Sequence, residues 1–259
     1  MNTSTIRTVS EFIKIIEEFD KETLHQVDGN ASKKLLFRGQ ADIKWQFLPG
    51  LFREKKYYDN EGRICSEVER QFPEEFKGLS QMDKVIKLQH YGAPTRLLDF
   101  TGNPLVALYF ACSTEIDRDG VVCAHNMPVF SSDSPYMMLY QNIIFDPSFD
   151  SVGTVNGEKI DMRNMNTTAG IMPYINNQRM RNQDGYFAFF GYNGAFRQFN
   201  STPLDPQMND IFLIAQITIP KEEKKHLLKD LSTLGIKKSF LFPELENQIK
   251  SIVEDIVSE

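Results

Sequence analysis

The stretch Leu88 to Ala111, LQHYGAPTRLLDFTGNPLVALYFA, constrains this chain more than any other. It sets three ionisable residues, His90, Arg96 and Asp99, around a turn at Gly92 and ahead of a strongly apolar run. Asn103-Pro104 reads as an N-cap followed by proline at the first helical position, so Leu105 to Cys112 is expected to be a helix buried nearly all round. Its amino end then points back at Asp99 and Thr101. Polar groups beside buried elements must be paired or must work, because an unpaired buried amide or hydroxyl costs roughly 2–7 kcal/mol. Upstream, the apolar run Leu35-Leu36-Phe37 ends in Arg38-Gly39-Gln40, and the two segments are expected to form the halves of one site.

The periodicity around them predicts mixed helices and strands. Ser10 is a candidate N-cap for a helix carrying Phe12, Ile16 and Phe19 on one face. Lys34 to Gln40 has the length of a short buried strand that delivers Arg38 near its carboxyl end. Trp45 and Phe47 extend a second strand-like piece up to Pro49-Gly50. Arg63 to Gly78 reads as a helix that Pro73 kinks or restarts. Ser80 caps a helix with Met82, Val85, Ile86 and Gln89 on one face, which leaves His90 and Tyr91 on its last turn and Gly92 as a left-handed C-cap. Val121 to Ala124, Tyr186 to Gly191 and Asp210 to Ile219 read as strands, and Lys221 to Leu234 as a helix whose KEEKK run is a solvated face. A last helix from Pro243 places Leu245, Ile249, Ile252, Val253 and Ile256 in a stripe.

With 259 residues, 41% of them hydrophobic, the chain can bury a core without staples. We expect one domain over residues 1–259, with a loop-rich excursion at about 125–175, most turn-laden from Asp146 to Thr168. The net charge of −6 and pI near 5.4 exclude a broad phosphate-tracking surface but allow a local basic pocket for a small anion. Cys65, Cys112 and Cys123 have neither metal-knuckle nor redox spacing, and read as buried reduced thiols. No signal peptide or membrane-length run is present, so a cytoplasmic location and no membrane partner are expected.

The dinucleotide-fold, P-loop, zincin and hydrolase signatures are missing, and no metal ligands are expected. Arg38 has the planar fork that suits a phosphate or carboxylate, with Gly39 allowing close approach of a ligand; alternatively Arg38 pairs with Asp99 and ties strand to loop. His90 and Tyr91 at a helix end either stack on a ring or reflect the favourable placement of histidine at a helix C-terminus. Thr95, Arg96, Asp99 and Thr101 are expected on a short irregular segment before a helix amino end, where free N–H groups make an anion site, although Thr101 and Asn103 also fit simple capping. Arg179, Arg181 and Gln183 are either solvated loop residues or ligand contacts.

Together these segments, LLFRGQ, PGLFR, LQHYGAPTRLLDFTGNPLVALYFAC, the RxxxQxGxF pattern of Arg179 to Phe187 and LFPEL at Leu241 to Leu245, resemble the FRG domain, a bacterial and phage-associated family named for its aromatic-Arg-Gly motif. The resemblance spans roughly Ile6 to Glu246. More distantly, Phe37-Arg38-Gly39 is similar to the strand-end triplet of arginine–serine–glutamate ADP-ribosyltransferases. That resemblance implies an α+β fold with a mixed, mainly antiparallel central β-structure and peripheral helices, and NAD as cosubstrate. Arg38 would hold the pyrophosphate, His90 and Tyr91 the nicotinamide side, and Thr101 a ribose, with Gln40, Thr95, Arg96, Arg179 and Gln183 as further contacts. Transferases of that type carry a glutamate where Gly185 follows Gln183-Asp184, so Asp99 or Glu244 is expected to supply the catalytic carboxylate, acting on a protein or nucleic-acid acceptor. The alternative is a non-catalytic nucleotide-binding or interaction domain in bacterial defence.

Overall fold

A computed structural model of the chain describes residues 2–23, 27–28, 31–134, 137, 152–155, 158–161, 168–175, 177–190, 212–245 and 248–249. Its centre is a ring of five strands: β3 (Ala31–Gln40), β4 (Leu97–Thr101), β5 (Gly120–Ser131), β8 (Thr168–Met172) and β9 (Gly185–Phe190). β5 pairs with β3 along one edge and with β8 on the other, β8 pairs with β9, β9 with β4, and β4 with β3, so the sheet closes on itself. Only the β5–β8 pairing within this ring is parallel. The protein is therefore mixed α/β, built on a closed five-stranded mixed barrel with helices outside it.

Alternation along the strands divides the core. Leu36, Leu98, Phe100, Met127, Val129, Tyr186, Ala188 and Phe190 form one buried cluster with Leu48, Leu51 and Phe52, and this is the barrel interior. The outward rows feed two other clusters. Phe37, Val122 and Ala124 pack under the helices α1 (Val9–Thr23), α6 (Pro104–Cys112) and, late in the chain, Lys224–Thr233. Leu97, Phe187 and Phe189 pack under α5 (Gln81–His90). The seam between β3 and β4 is thin, registered through the pair Phe37 and Thr101.

The sheet extends beyond the ring. β10 (Leu213–Ile219) runs antiparallel to the first half of β5, and β1 (Asn2–Thr5) runs parallel to β10. The short β2 (Val27–Asp28) adds to β3, and β6 (Val152–Val155) with β7 (Glu158–Asp161) makes a separate hairpin inside the expected excursion. The remaining helices are α2 (Lys55–Tyr58), α3 (Glu61–Gln71), α4 (Pro73–Phe76), α7 (Gln178–Asn182), α8 (Lys224–Thr233) and α9 (Lys238–Leu241).

Several expectations are corrected. The cap of α1 is Thr8 and not Ser10: Glu11 N–H donates to Thr8 Oγ1 at 3.2 Å and Thr8 N–H to Glu11 Oε2 at 3.2 Å, a reciprocal capping box. Trp45 lies in a bend and Phe47 in irregular chain, not a strand, whereas Leu97–Thr101, expected as an irregular segment, is the strand β4. Of the two outcomes expected at Pro73 the second holds: it starts a new helix, having no N–H to continue α3. β5 continues seven residues past Ala124, to Ser131, because each half of it has a different neighbour. Lys224, expected on a solvated face, is fully buried; its ammonium donates to the carbonyls of Ala41, Glu115 and Thr114 at 2.6, 2.9 and 3.3 Å and ties α8 to the end of β3. Residues 210–211, Gly191 and the positions Ile252, Val253 and Ile256 of the last stripe lie outside the described residues. The cysteines are free and buried, with thiols pushed up to about 12 by burial.

His125, on the inward row of β5, is stacked on Phe47 at 5.1 Å and edge-on to Phe100 at 5.2 Å, and its Nδ1 makes no hydrogen bond among the described residues. Burial holds its pKa down to about 3, against an ordinary 6.5. Above the ordinary value both folded and unfolded chains carry it neutral; as pH falls towards 3, only the unfolded chain takes up the proton, so stability is lost through that window. The loss attributable to His125 between about pH 7.5 and about pH 4.5 is expected to be roughly 3 kcal/mol. Urea midpoints at the two pH values should converge in His125→Phe, and equal acid sensitivity in wild type and variant would overturn this assignment.

Candidate functional site

A cleft of about 590 Å³ opens on the outer face of β4 and β9, between α5, the end of α6 and α7. Its position follows from local sequence. Ser80 accepts a hydrogen bond from Asp83 N–H and starts α5. Gly92 adopts φ 83° and ends the chain's helical course, leaving His90 and Tyr91 on the rim. Asn103 caps α6 by accepting from Leu105 N–H at 2.9 Å, with Pro104 at the first turn. Asn177 caps α7 in the same way, accepting from Met180 N–H at 2.8 Å.

The cleft gathers residues from both sequence halves. Arg38, His90, Tyr91, Asp99, Thr101, Arg179 and Gln183 all line it, as do Gly185 and Phe187, so every defined position of the RxxxQxGxF pattern lies on its wall. Leu79, Ile86, Phe110 and Met180 add an apolar side. Gln40, Thr95 and Arg96 do not line it. Gln40 is buried on the inward row of β3, and its side-chain amide donates to Gln46 O at 3.5 Å. Thr95 is buried, and its hydroxyl is bonded to Gln89. Arg96 is sealed against Glu61, its Nε at 2.7 Å from Oε1 and its Nη2 at 2.6 Å from Oε2, with Phe52 and Tyr58 rings beside it. Burial opposes the Arg96 charge, but Glu61 outweighs it and leaves the pKa raised. Glu244 is not on the lining either; it is exposed and lies 3.8 Å from Arg179.

Arg38 shares its row with buried Leu36 and Gln40, yet its guanidinium crosses the thin β3–β4 seam. Nη1 donates to the main-chain oxygen of Asp99 at 2.7 Å, and the group lies over Phe47 at 5.6 Å. Its Nε is buried and makes no hydrogen bond among the described residues. Burial pulls the Arg38 pKa below its ordinary value, and the Asp99 charge offsets part of this. Gly39 lines the cleft and also serves helix packing: a Cβ there would lie 1.9 Å from Ala107 O of α6. Thr101 lines the cleft with its hydroxyl already used, donating to Gln183 O at 2.6 Å and accepting from Asn103 N–H at 3.0 Å.

The later half of the wall is latched by its own polar residues. Asn182 Nδ2 donates to Phe240 O at 2.5 Å, Gln183 Nε2 to Leu241 O at 3.0 Å, and Arg179 sits over Phe242 at 4.8 Å. These residues therefore form a short helix with a defined job, where a solvated loop was one expectation. Sequence reading missed Gln89 and Lys87 as lining residues; a glutamine on the apolar face of α5, in step with Met82, Val85 and Ile86, was the available signal.

Residues 33–120 match the family model of the FRG domain. Over this stretch the chain is similar to the FRG domain. The match is narrower than the resemblance from Ile6 to Glu246: the matched segment runs from β3 to the start of β5 and supplies Arg38, Gln89, His90, Asp99 and Thr101, whereas Arg179 and Gln183 lie beyond it. No curated protein and no solved structure matches the chain. No group of three or more His, Cys, Asp or Glu among the described residues could hold a metal ion, and no described helix is long and apolar enough to cross a membrane.

Proposed function

We propose that the cleft binds NAD or a close nucleotide relative and acts as an ADP-ribosyltransferase-like site. One observation carries this reading: two guanidiniums, Arg38 and Arg179, a carboxylate, Asp99, and the aromatic pair His90–Tyr91 face one cleft with an apolar side. Guanidiniums match phosphate oxygens, and the apolar and aromatic walls match a base or nicotinamide ring. His90 and Tyr91 meet edge to face at 5.2 Å, both exposed on the rim, on the nicotinamide side of this scheme. Breaking the nicotinamide–ribose bond leaves positive charge on the ribose, and Asp99 is the carboxylate placed to stabilise it. Glu244, off the lining and beside Arg179, does not take that role here. A bacterial toxin or a phage-defence effector is the setting such a transfer fits, with a protein or nucleic acid as acceptor.

A second reading, nucleotide binding without turnover, is favoured by Gly185: it stands on the cleft wall at the position where transferases of this type carry a glutamate. Incubation with NAD labelled in the adenylate is expected to transfer label to an acceptor or to release nicotinamide. Calorimetric binding of NAD and ADP-ribose with no label transferred to lysate protein, DNA or RNA, and no nicotinamide released, selects the second reading; absence of binding by either ligand overturns both. Arg38→Gln is expected to weaken ADP-ribose binding roughly tenfold to a hundredfold, the worth of hydrogen bonds to a charged group, read by the same calorimetry.

A further inference from the structure

Asp99 is exposed to the cleft, and both of its carboxylate oxygens meet one donor, Gln89 Nε2, at 3.3 Å each. The other end of that amide is held more closely: Gln89 Oε1 accepts from Thr95 Oγ1 at 2.6 Å. Thr95 is only 4% exposed, and its Oγ1 accepts in turn from Leu97 N–H at 3.1 Å. Donor and acceptor chemistry permits one arrangement of these groups. An ionised carboxylate only accepts, so the amide must show its NH2 to Asp99 and its oxygen to Thr95; the hydroxyl proton must then point at that oxygen. The backbone of β4, which fixes Leu97 N–H, thereby fixes the orientation of a side chain two residues further on, through a residue of α5.

We propose that Thr95 and Gln89 are positioning residues for Asp99, forming a relay that holds its carboxylate in one orientation towards the cleft. The inference rests on the reading of Asp99 as the group facing the ribose, but the relay is testable without it. A purely structural tie between α5 and β4 would need no particular amide orientation. The relay does, because a rotated amide would put oxygen against oxygen.

The side-chain amide protons of Gln89 report the relay by nitrogen-edited NMR, assigned by their disappearance in Gln89→Leu. In the wild type they are expected to be resolved and slow to exchange with solvent. Thr95→Val removes the hydroxyl at nearly constant shape, and Thr95→Ser restores it; the first is expected to speed exchange of the Gln89 amide and the second to return it. Asp99→Asn, at an exposed position, keeps the test open if Thr95→Val does not fold: asparagine can offer either atom, so the single amide orientation is expected to be lost. If NAD is turned over, Thr95→Val is expected to lower kcat about tenfold to a hundredfold with KM little changed. A Gln89 amide that is indifferent to both Thr95→Val and Asp99→Asn overturns the relay while leaving the functional reading standing. A responsive amide in a protein inert to NAD supports the relay and overturns the transferase reading alone.

Discussion

Arg96→Ala is expected to lower the stability of the fold by about 3–5 kcal/mol, with the melting temperature down by roughly 10 °C. The guanidinium is 3% exposed and the Glu61 side chain 12%, so removing the cation leaves a carboxylate almost without water and without its partner. The pair also joins distant parts of the molecule, because Glu61 opens α3 and Arg96 precedes β4. Replacing both, Arg96→Met with Glu61→Leu, is expected to recover most of the loss, since the desolvation cost of both charges disappears with them. Urea denaturation of the two variants decides the point. A small loss of stability in Arg96→Ala together with abolished ADP-ribose binding would falsify the structural role and return Arg96 to the ligand site.

Gly39→Ala is expected to cost about 3 kcal/mol or more, an overpacking penalty at the upper end of the usual range. The added methyl would meet Ala107 O at 1.9 Å and Ala111 N at 2.8 Å, both backbone atoms of α6, so no side chain can swing away to admit it. Either α6 lifts from β3 or the strand bends. Each outcome displaces a cleft wall, because Gly39 lines the cleft with Phe37 and Arg38 just before it, and Phe110 lies on α6. Gly39→Ala should therefore weaken ligand binding as well as folding. A thermal melt within about 1 kcal/mol of wild type would show that α6 does not sit as close as this geometry requires.

The contrast between Gly39 and Gly92 shows what the chain states locally and what it does not. Gly92 was legible as a left-handed C-cap because the signal is confined to a helix and the residues after it, and its φ of 83° agrees. The same holds for Ser80 and Asn103 as caps and for α6 as a helix of apolar residues. Gly39 reads as room for a ligand and does line the cleft, but the space of its missing side chain is taken by a helix some seventy residues later in the chain. Nothing near residue 39 carries that information.

The polar residues divide along the same line. Arg38, His90, Asp99 and Arg179 were singled out by residue type and setting, and the fold does bring them to one cleft. Arg96, three residues from Asp99, was grouped with them because adjacency in sequence looks like adjacency in space. On a strand it is not: Asp99 is exposed to the cleft, and Arg96, just before the strand begins, turns into the rings of Phe52 and Tyr58. Gln89 and Thr95 were passed over or misassigned because a relay of hydrogen bonds between a helix and a strand exists only after both are packed.

From the residues alone came the caps of α5 and α6, the apolar faces, the strands β3, β5, β9 and β10 and the chemical types gathered around Asp99, since each depends on neighbours within a turn or two of chain. Closure of the five strands into a ring, the burial of Lys224 and Arg96, and the side of β4 on which each side chain emerges were settled by tertiary packing. These depend on contacts between segments from tens to nearly two hundred residues apart, and a pairing of that range leaves no periodic trace in either partner.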